Sequence, residues 1–357
     1  MRVGLDGLPL QVRSAGIAVY TRELVAALAA LPDAPQLTLF TCAGLPAPQV
    51  SVPVRRSALY PLIMGAPLGG VPRLLPLGAG LADVDLFHAT NYALPRTRLP
   101  LVLTVHDLAL LRHPELGTPA LRRLVGRVAG AWREARVVIA DSQATAHDLH
   151  ALCGVPPARV RVVYPGCAPV FQPDGDAAAD AAVRARHRLT GPYLLHVGTR
   201  EPRKNLARLV RAYARATATR PDPPALALVG GRGWGDGDPE AAIAASGCAE
   251  RVRRLQHVPT ADLPALYRGA TLFAYPSLYE GFGLPVVEAL ACGAPVLTST
   301  AASLPEVAGD AALLVDPRDD DALAAALARL LDDAALRAAL RARGPRRAAQ
   351  FTWARCA

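Results

Sequence analysis

Short β-branched or leucine-rich runs recur along the chain, separated by longer stretches with helical spacing. The first half carries them at 2–6, 37–40, 86–89, 101–106, 137–140 and 160–164; the second at 193–198, 226–230, 252–258, 272–275, 295–298 and 312–315. Continuous apolar strands alternating with helices predict a parallel sheet covered on both faces, and the repetition predicts two doubly wound α/β domains. Ligands of such domains sit at the carboxyl ends of the strands. After the first strand, Ile17, Tyr20, Leu24, Leu28 and Leu31 share one helical face. That helix is entered through Ser14, Ala15 and Gly16, and its start is a candidate anion site. Residues 319–343 read as two alanine-rich helices ended by Gly344 and Pro345. The Pro-, Asp- and Ala-rich stretch after Tyr164 has the composition of an interdomain connection. Segment 57–80 is apolar but laced with Pro and Gly, and reads as an irregular loop. The expected organisation is a first domain over 1–170, a linker over 171–190, a second domain over 191–345 and a short terminal segment over 346–357.

A chain of 357 residues with 52% hydrophobic content can build two cores. Every long apolar stretch is broken by Pro, Gly or Arg before it could span about 30 Å, so no transmembrane helix is expected. The start MRVGLDGLPL reads as a strand rather than a signal peptide, which implies a cytoplasmic protein. Six scattered cysteines form no C-x-x-C pair and no Cys/His grouping at metal-ligand spacing, so reduced thiols and no metal are expected. A net charge of +9 favours an anionic partner, although arginine excess in an alanine-rich chain is equally what base composition produces. With aromatics at 5% and no aromatic-rich basic motif, a nucleic-acid module is disfavoured. The basic stretch Arg122, Arg123, Arg127, Arg133 and Arg136 is interleaved with Leu121, Leu124, Val125, Val128 and Trp132. It reads either as a solvated helix face or as a surface lying against anionic lipid.

The densest chemistry lies in SLYEGFGLPVVE, residues 277–288, directly after a predicted strand. Glu280 and Glu288 bracket a turn in which Gly281 and Gly283 can adopt backbone angles closed to other residues, exposing N–H groups to an oxygen-rich ligand. The alternative is that Glu280 caps the helix and Glu288 is solvated. So apolar a helix favours the functional reading, because a carboxylate on a buried face needs a partner.

This run closely resembles the E-x7-E signature of the large retaining glycosyltransferase family 4. The likeness continues through HVGTREPRKNL and LYRGATLFAYPSLYEGFGLPVVEALACGAPVLTSTAASLPEVAGDAALLVDP and is densest over 193–317. The resemblance implies the GT-B fold, two Rossmann-like domains facing a central cleft, with the acceptor side in the first domain and a nucleotide-diphosphate sugar in the second. It implies that Glu280 contacts the donor sugar and Glu288 the ribose hydroxyls, with turn amides at Phe282, Gly283 and Leu284 meeting sugar and phosphates. Arg203 and Lys204 follow a strand, with Asn205 placed to cap the next helix; fixed cations aimed at a departing diphosphate are what its charge requires. Lys204 is the firmer assignment, Arg203 next, and Arg200 stays open because Thr199 occupies the place where some branches carry arginine. TVHDL puts His106 and Asp107 at the end of a predicted strand; a lone histidine there is commonly structural, but it matches a family histidine near the donor sugar and can hydrogen-bond while neutral. Gly16 matches a glycine near the diphosphate. His88, Asn91 and Tyr92 are candidate acceptor-side groups, while Ser142 and the Tyr164-Pro165-Gly166 turn read as architectural.

By the same resemblance the reaction retains anomeric configuration and needs no metal or cofactor. GDP-mannose ranks first as donor, UDP-sugars next, and the acceptor is a saccharide or lipid-linked glycan reached at the inner membrane face. The rival readings are a nucleotide-sugar epimerase of the same fold and a non-catalytic sugar-nucleotide binding subunit. Relatives continue past the FTW-type segment into a helix crossing back to the first domain; this chain ends at Ala357, so that crossover is expected to be short or absent.

Overall fold

The computed structural model describes residues 1–12, 15–58, 60, 64, 81, 83–95, 97–233, 235 and 237–357. Ser14 and most of the irregular segment 57–80 lie outside the described residues. The chain forms two compact units, one of Met1–Gly166 with Thr352–Ala357, the other of Cys167–Phe351.

In the first unit seven strands, β1 (Arg2–Asp6), β2 (Gln36–Cys42), β3 (Val54–Ser57), β4 (Leu86–Ala89), β5 (Leu101–Val105), β6 (Val137–Ala140) and β7 (Val160–Val162), lie in the order β3-β2-β1-β4-β5-β6-β7. Every pairing is parallel. Helices α1 (Ala15–Ala29), α2 (Ala109–Arg112), α3 (Pro119–Ala131) and α4 (Gln143–Cys153) follow strands β1, β5 and β6. Leu5, Leu39, Phe87, Leu103, Val105 and Val138 are fully buried, as strands covered on both faces require. The strand β3 was not expected from its V-R-R-S sequence. Pairing with β2, Leu39 opposite Val54, recruits it to the sheet edge, where its arginines face water. Trp132, grouped with the basic stretch, is buried instead and donates its indole N–H to Tyr92 O at 2.8 Å.

The second unit holds β8 (Tyr193–Val197), β9 (Ala225–Val229), β10 (Val252–Leu255), β11 (Leu272–Tyr275), β12 (Val296–Ser299) and β13 (Ala312–Val315) in the order β10-β9-β8-β11-β12-β13, again all parallel. Its helices are α5 (Ala177–Arg186), α6 (Leu206–Thr217), α7 (Glu240–Ala245), α8 (Leu263–Gly269), α9 (Leu284–Ala291), α10 (Leu304–Ala308), α11 (Asp320–Asp332) and α12 (Ala334–Ala348). Leu209, Val210 and Tyr213 on α6 pack with Leu323 and Leu327 on α11 over one face of the sheet.

Two boundaries differ from expectation. Residues 171–190 are not a bare linker: Asp176 caps α5, and Asp180 takes both hydrogen bonds of a fork from Arg268 on α8 at 2.7 Å, tying the stretch into the second unit. Helix α12 does not stop at Gly344-Pro345 but continues to Ala348. A Cβ at Gly344 would meet Leu290 O of α9 at 2.8 Å, so this glycine serves close helix packing rather than termination. The return segment is short, within the expectation: Thr352–Ala357 belongs to the first unit, where α13 (Trp353–Cys356) sets Trp353 5.9 Å from the Tyr20 ring on α1. No described helix is long and apolar enough to cross a membrane.

Candidate active site

In the second unit, a tight turn over Pro202–Lys204 comes after the carboxyl end of β8. Its sharpness comes from Asn205, in the left-handed region at φ 61°. Asn205 does not cap α6 with its side chain; its amide instead donates to Pro276 O at 3.1 Å and Pro317 O at 2.7 Å, locking the turn to the loops after β11 and β13. The first of these carries Glu280. Ser303 holds it by donating to Glu280 O at 2.9 Å and Phe282 O at 3.0 Å, and the Phe282 ring packs edge-on against Phe351 at 5.4 Å.

Two turns distant in sequence thus bring three predicted residues together. Lys204 donates to Glu280 Oε1 at 2.7 Å and to the Tyr275 hydroxyl, while Arg203 donates to Glu280 Oε2. Arg203 Nε also reaches Glu201 Oε2 at 2.9 Å, and Thr199 donates to Glu201 Oε1 at 2.8 Å. Burial by itself would raise the Glu280 pKa, but Arg203 and Lys204 outweigh it and hold the carboxyl at about 2. Burial and the neighbouring Arg203 charge lower the Lys204 pKa, offset in part by Glu280. Two cations and two carboxylates balance at the strand ends. Arg200 lies beside this group, 3.9 Å from Asp238, with a buried Nε lacking a partner among the described residues.

Gly283 adopts φ 99°, ψ 53°, and a Cβ there would meet Leu304 at 2.9 Å; Gly281 has no positive φ, so only one of the two glycines is required for its backbone angles. Leu284 opens α9, but Pro285 has no N–H and the Val286 N–H closes on Gly283 O at 2.9 Å. Neither Pro285 nor Val286 therefore offers a free N–H beyond the turn. Glu288 accepts from the Tyr267 hydroxyl at 2.9 Å, and burial lifts its pKa to about 7. It is not part of the Glu280 cluster.

In the first unit, His106 lies one residue past β5. Its Nε2–H donates to Thr90 O at 2.8 Å and its Nδ1 faces Asp141 Oδ2 at 2.7 Å. Burial opposes its charge, but Asp141, with the Thr90 carbonyl on the other ring nitrogen, outweighs burial and raises the pKa. Its neighbour Asp107 caps α2 through the Ala109 N–H at 3.0 Å. His88 sits within 2.8 Å of the Thr104 hydroxyl, which also meets Tyr20 OH at 3.1 Å; burial and the nearby His106 charge push its pKa down to about 4. Asn91 Oδ1 is buried without a partner among the described residues, and Tyr92 stacks on Trp132 at 6.1 Å. Ser142 caps α4, an architectural role as expected. Gly16 is exposed in the first turn of α1, with open space where a Cβ would stand. Sequence reasoning missed Asp6, Tyr275 and Asp141. Asp6, buried at the end of β1, accepts from Tyr60 OH at 2.8 Å and Leu8 N–H at 3.0 Å, and burial raises its pKa to about 6. A charged residue closing an otherwise apolar strand run was its signal.

Two parallel-sheet α/β units, each with polar residues gathered where strands end, are the architecture expected of a glycosyltransferase, and comparison with known proteins bears out that class. The family description "Glycosyl transferases group 1" matches residues 181–347, and "Glycosyltransferase Family 4" matches 14–170. The O-antigen chain mannosyltransferase B of Escherichia coli is 33% identical, covering 98% of this chain and 95% of that protein. The chain belongs to the group 1, family 4 glycosyltransferases. Among solved structures, sucrose-phosphate synthase from Thermosynechococcus elongatus aligns with a TM-score of 0.76 at 23% identity, covering 99% of this chain and 95% of that one. Anabaena HepE, in complex with UDP and glucose, aligns at 0.73 with 21% identity, covering 98% and 95%. The fold is the GT-B type expected.

Proposed function

We propose that this glycosyltransferase moves a mannosyl or related hexosyl group from a nucleoside-diphosphate sugar, GDP-mannose first and UDP-sugars second, to a saccharide or lipid-linked acceptor, with retention of configuration and without a metal. The observation that carries this reading is the buried Lys204–Glu280–Arg203 cluster at the ends of β8 and β11. The mannosyl choice rests on the 33% identical mannosyltransferase relative. In the reaction the acceptor hydroxyl oxygen forms a bond to the anomeric carbon, the bond from that carbon to the β-phosphate oxygen breaks, and its electron pair stays on the phosphate. The departing phosphate takes up the acceptor proton. Lys204 and Arg203 supply positive charge where that negative charge grows, as fixed dipoles and cations do most effectively in a dry site. Glu280 turns toward the sugar hydroxyls as the cations engage phosphate, Glu288 toward the ribose, and Gly283 and Leu284 offer the turn amides. His106 and Gly16 are the donor contacts assigned to the first unit.

Peripheral contact with anionic lipid at the inner membrane face is supported by α3, whose Arg122, Arg123 and Arg127 are exposed alongside Leu124, itself 37% exposed. The test is nucleoside-diphosphate release from a panel of GDP-, UDP- and dTDP-sugars, with and without lipid-linked acceptor, for the wild type, Lys204→Ala and Glu280→Ala. Release from one donor that rises with acceptor and collapses in both variants supports the reading. Acceptor-independent conversion of the sugar would indicate an epimerase, and tight binding without release a binding subunit.

A further inference from the structure

We propose that Tyr275 is a positioning residue whose hydroxyl aims the Lys204 ammonium during transfer. The inference rests on the reading that Lys204 serves the diphosphate. Tyr275 is the last residue of β11, and its ring is fixed on both sides, stacked on His196 at 5.3 Å with an interplanar angle of 16° and on Phe273 at 5.7 Å and 20°. Its carbonyl accepts from Thr298 at 2.9 Å, so neither backbone nor ring is free to shift. Against this rigid platform the Lys204 ammonium donates to the phenolic oxygen and lies 4.8 Å from the ring centroid. Lysine needs such a partner: its charge sits at the tip of a flexible four-carbon stem, without the planar fork that orients arginine.

Glu280, Glu201 and Arg203 carry the charges facing this ammonium, and His196 faces it from β8. Burial keeps His196 neutral, with a pKa near 4, and pushes the Tyr275 phenol well above its ordinary range, so Tyr275 remains a hydroxyl throughout working pH. The distinction from Glu280 is one of charge. A bound diphosphate competes with Glu280 for both cations, whereas the neutral phenol keeps its hold and directs the ammonium toward the bridging oxygen. Removing the hydroxyl takes an acceptor from a buried cation, which disfavours the charged form further.

The experiment compares wild type, Tyr275→Phe and Lys204→Ala with whichever donor is turned over, measuring kcat and donor KM from pH 6 to 10 on the order of half-unit steps. Tyr275→Phe keeps the ring stack; its kcat should fall about tenfold, the loss of a hydrogen bond to a charged group. Donor KM should move less than about threefold, and the alkaline limb of the kcat profile should shift to lower pH, a displacement that altered packing would not produce. Site-specific 3-fluorotyrosine at 275, a weaker acceptor of nearly the same shape, should shift the limb the same way by a smaller amount and stands in if the phenylalanine variant folds poorly. An inactive Lys204→Ala beside a Tyr275→Phe or fluorotyrosine enzyme with wild-type kcat and profile overturns the positioning role alone. An active Lys204→Ala overturns the reading beneath it, and the inference with it.

Discussion

The two units place polar residues at the same point of the same architecture and use them oppositely. At the ends of β1, β4 and β5 in the first unit, Asp6, His88 and His106 are absorbed into short-range networks with Tyr60, Thr104 and Asp141, and two of them have pKa values moved to favour the uncharged form, Asp6 to about 6 and His88 to about 4. At the ends of β8 and β11 in the second, Glu280 is held ionised to about pH 2 by two cations on a sharp turn. The difference arises from the loop that leaves each strand. In the second unit Pro202 and the left-handed Asn205 bend three residues into a turn that points consecutive cations at one carboxylate. The first unit has no such turn after β5, where His106 runs straight into the Asp107 cap of α2. Strand ends define where a doubly wound domain can bind, and the connecting loop decides which polar groups meet there.

The comparison would break if removing charge from the second unit proved harmless. Glu280→Ala leaves Lys204 buried without its counter-ion and should destabilise the second unit by about 3–5 kcal/mol in denaturant unfolding. Lys204→Ala should lower transfer by about 100- to 1000-fold, comparable to deleting one preorganised donor to a developing anion, with a smaller change in melting temperature. For the first unit the expected effects are milder. Asp141→Asn, which retains the shape but not the charge beside His106, should lower the His106 pKa and weaken the unit by about 1.5–3 kcal/mol, read by histidine NMR titration and unfolding. A further effect, one that depends on pH, concerns Glu288, whose pKa is raised from 4.5 to about 7. A carboxyl raised in the folded state adds stability that is full below pH 4.5 and lost as pH rises through about 7. Glu288→Gln should flatten that slope, removing a change on the order of 3 kcal/mol between pH 4.5 and about 8 in unfolding titrations.

Much of this was legible in the order of residues. The apolar runs and the turn chemistry around Asn205 and Gly283 are local, so strand positions, both doubly wound sheets and the Arg203–Lys204 and Glu280 segments could be read directly; the run over 252–258 overshoots a strand that ends at Leu255. The edge strand β3 could not, because its V-R-R-S stretch has no apolar signature and exists as a strand only through pairing with β2. Helix α12 likewise passes through Gly344-Pro345 because packing on α9 outweighs a local stop signal.

The glycine-bracketed turn marked Glu280, and the family resemblance marked Lys204. Their meeting at 2.7 Å spans 76 positions of chain and required β8 and β11 to become neighbours in the sheet. The same holds for Tyr275 under Lys204 and Asp141 under His106, both unremarked in a linear reading. Backbone turns are set by nearest neighbours, whereas pKa and hydrogen-bond partnership depend on groups that only folding brings within a few ångströms.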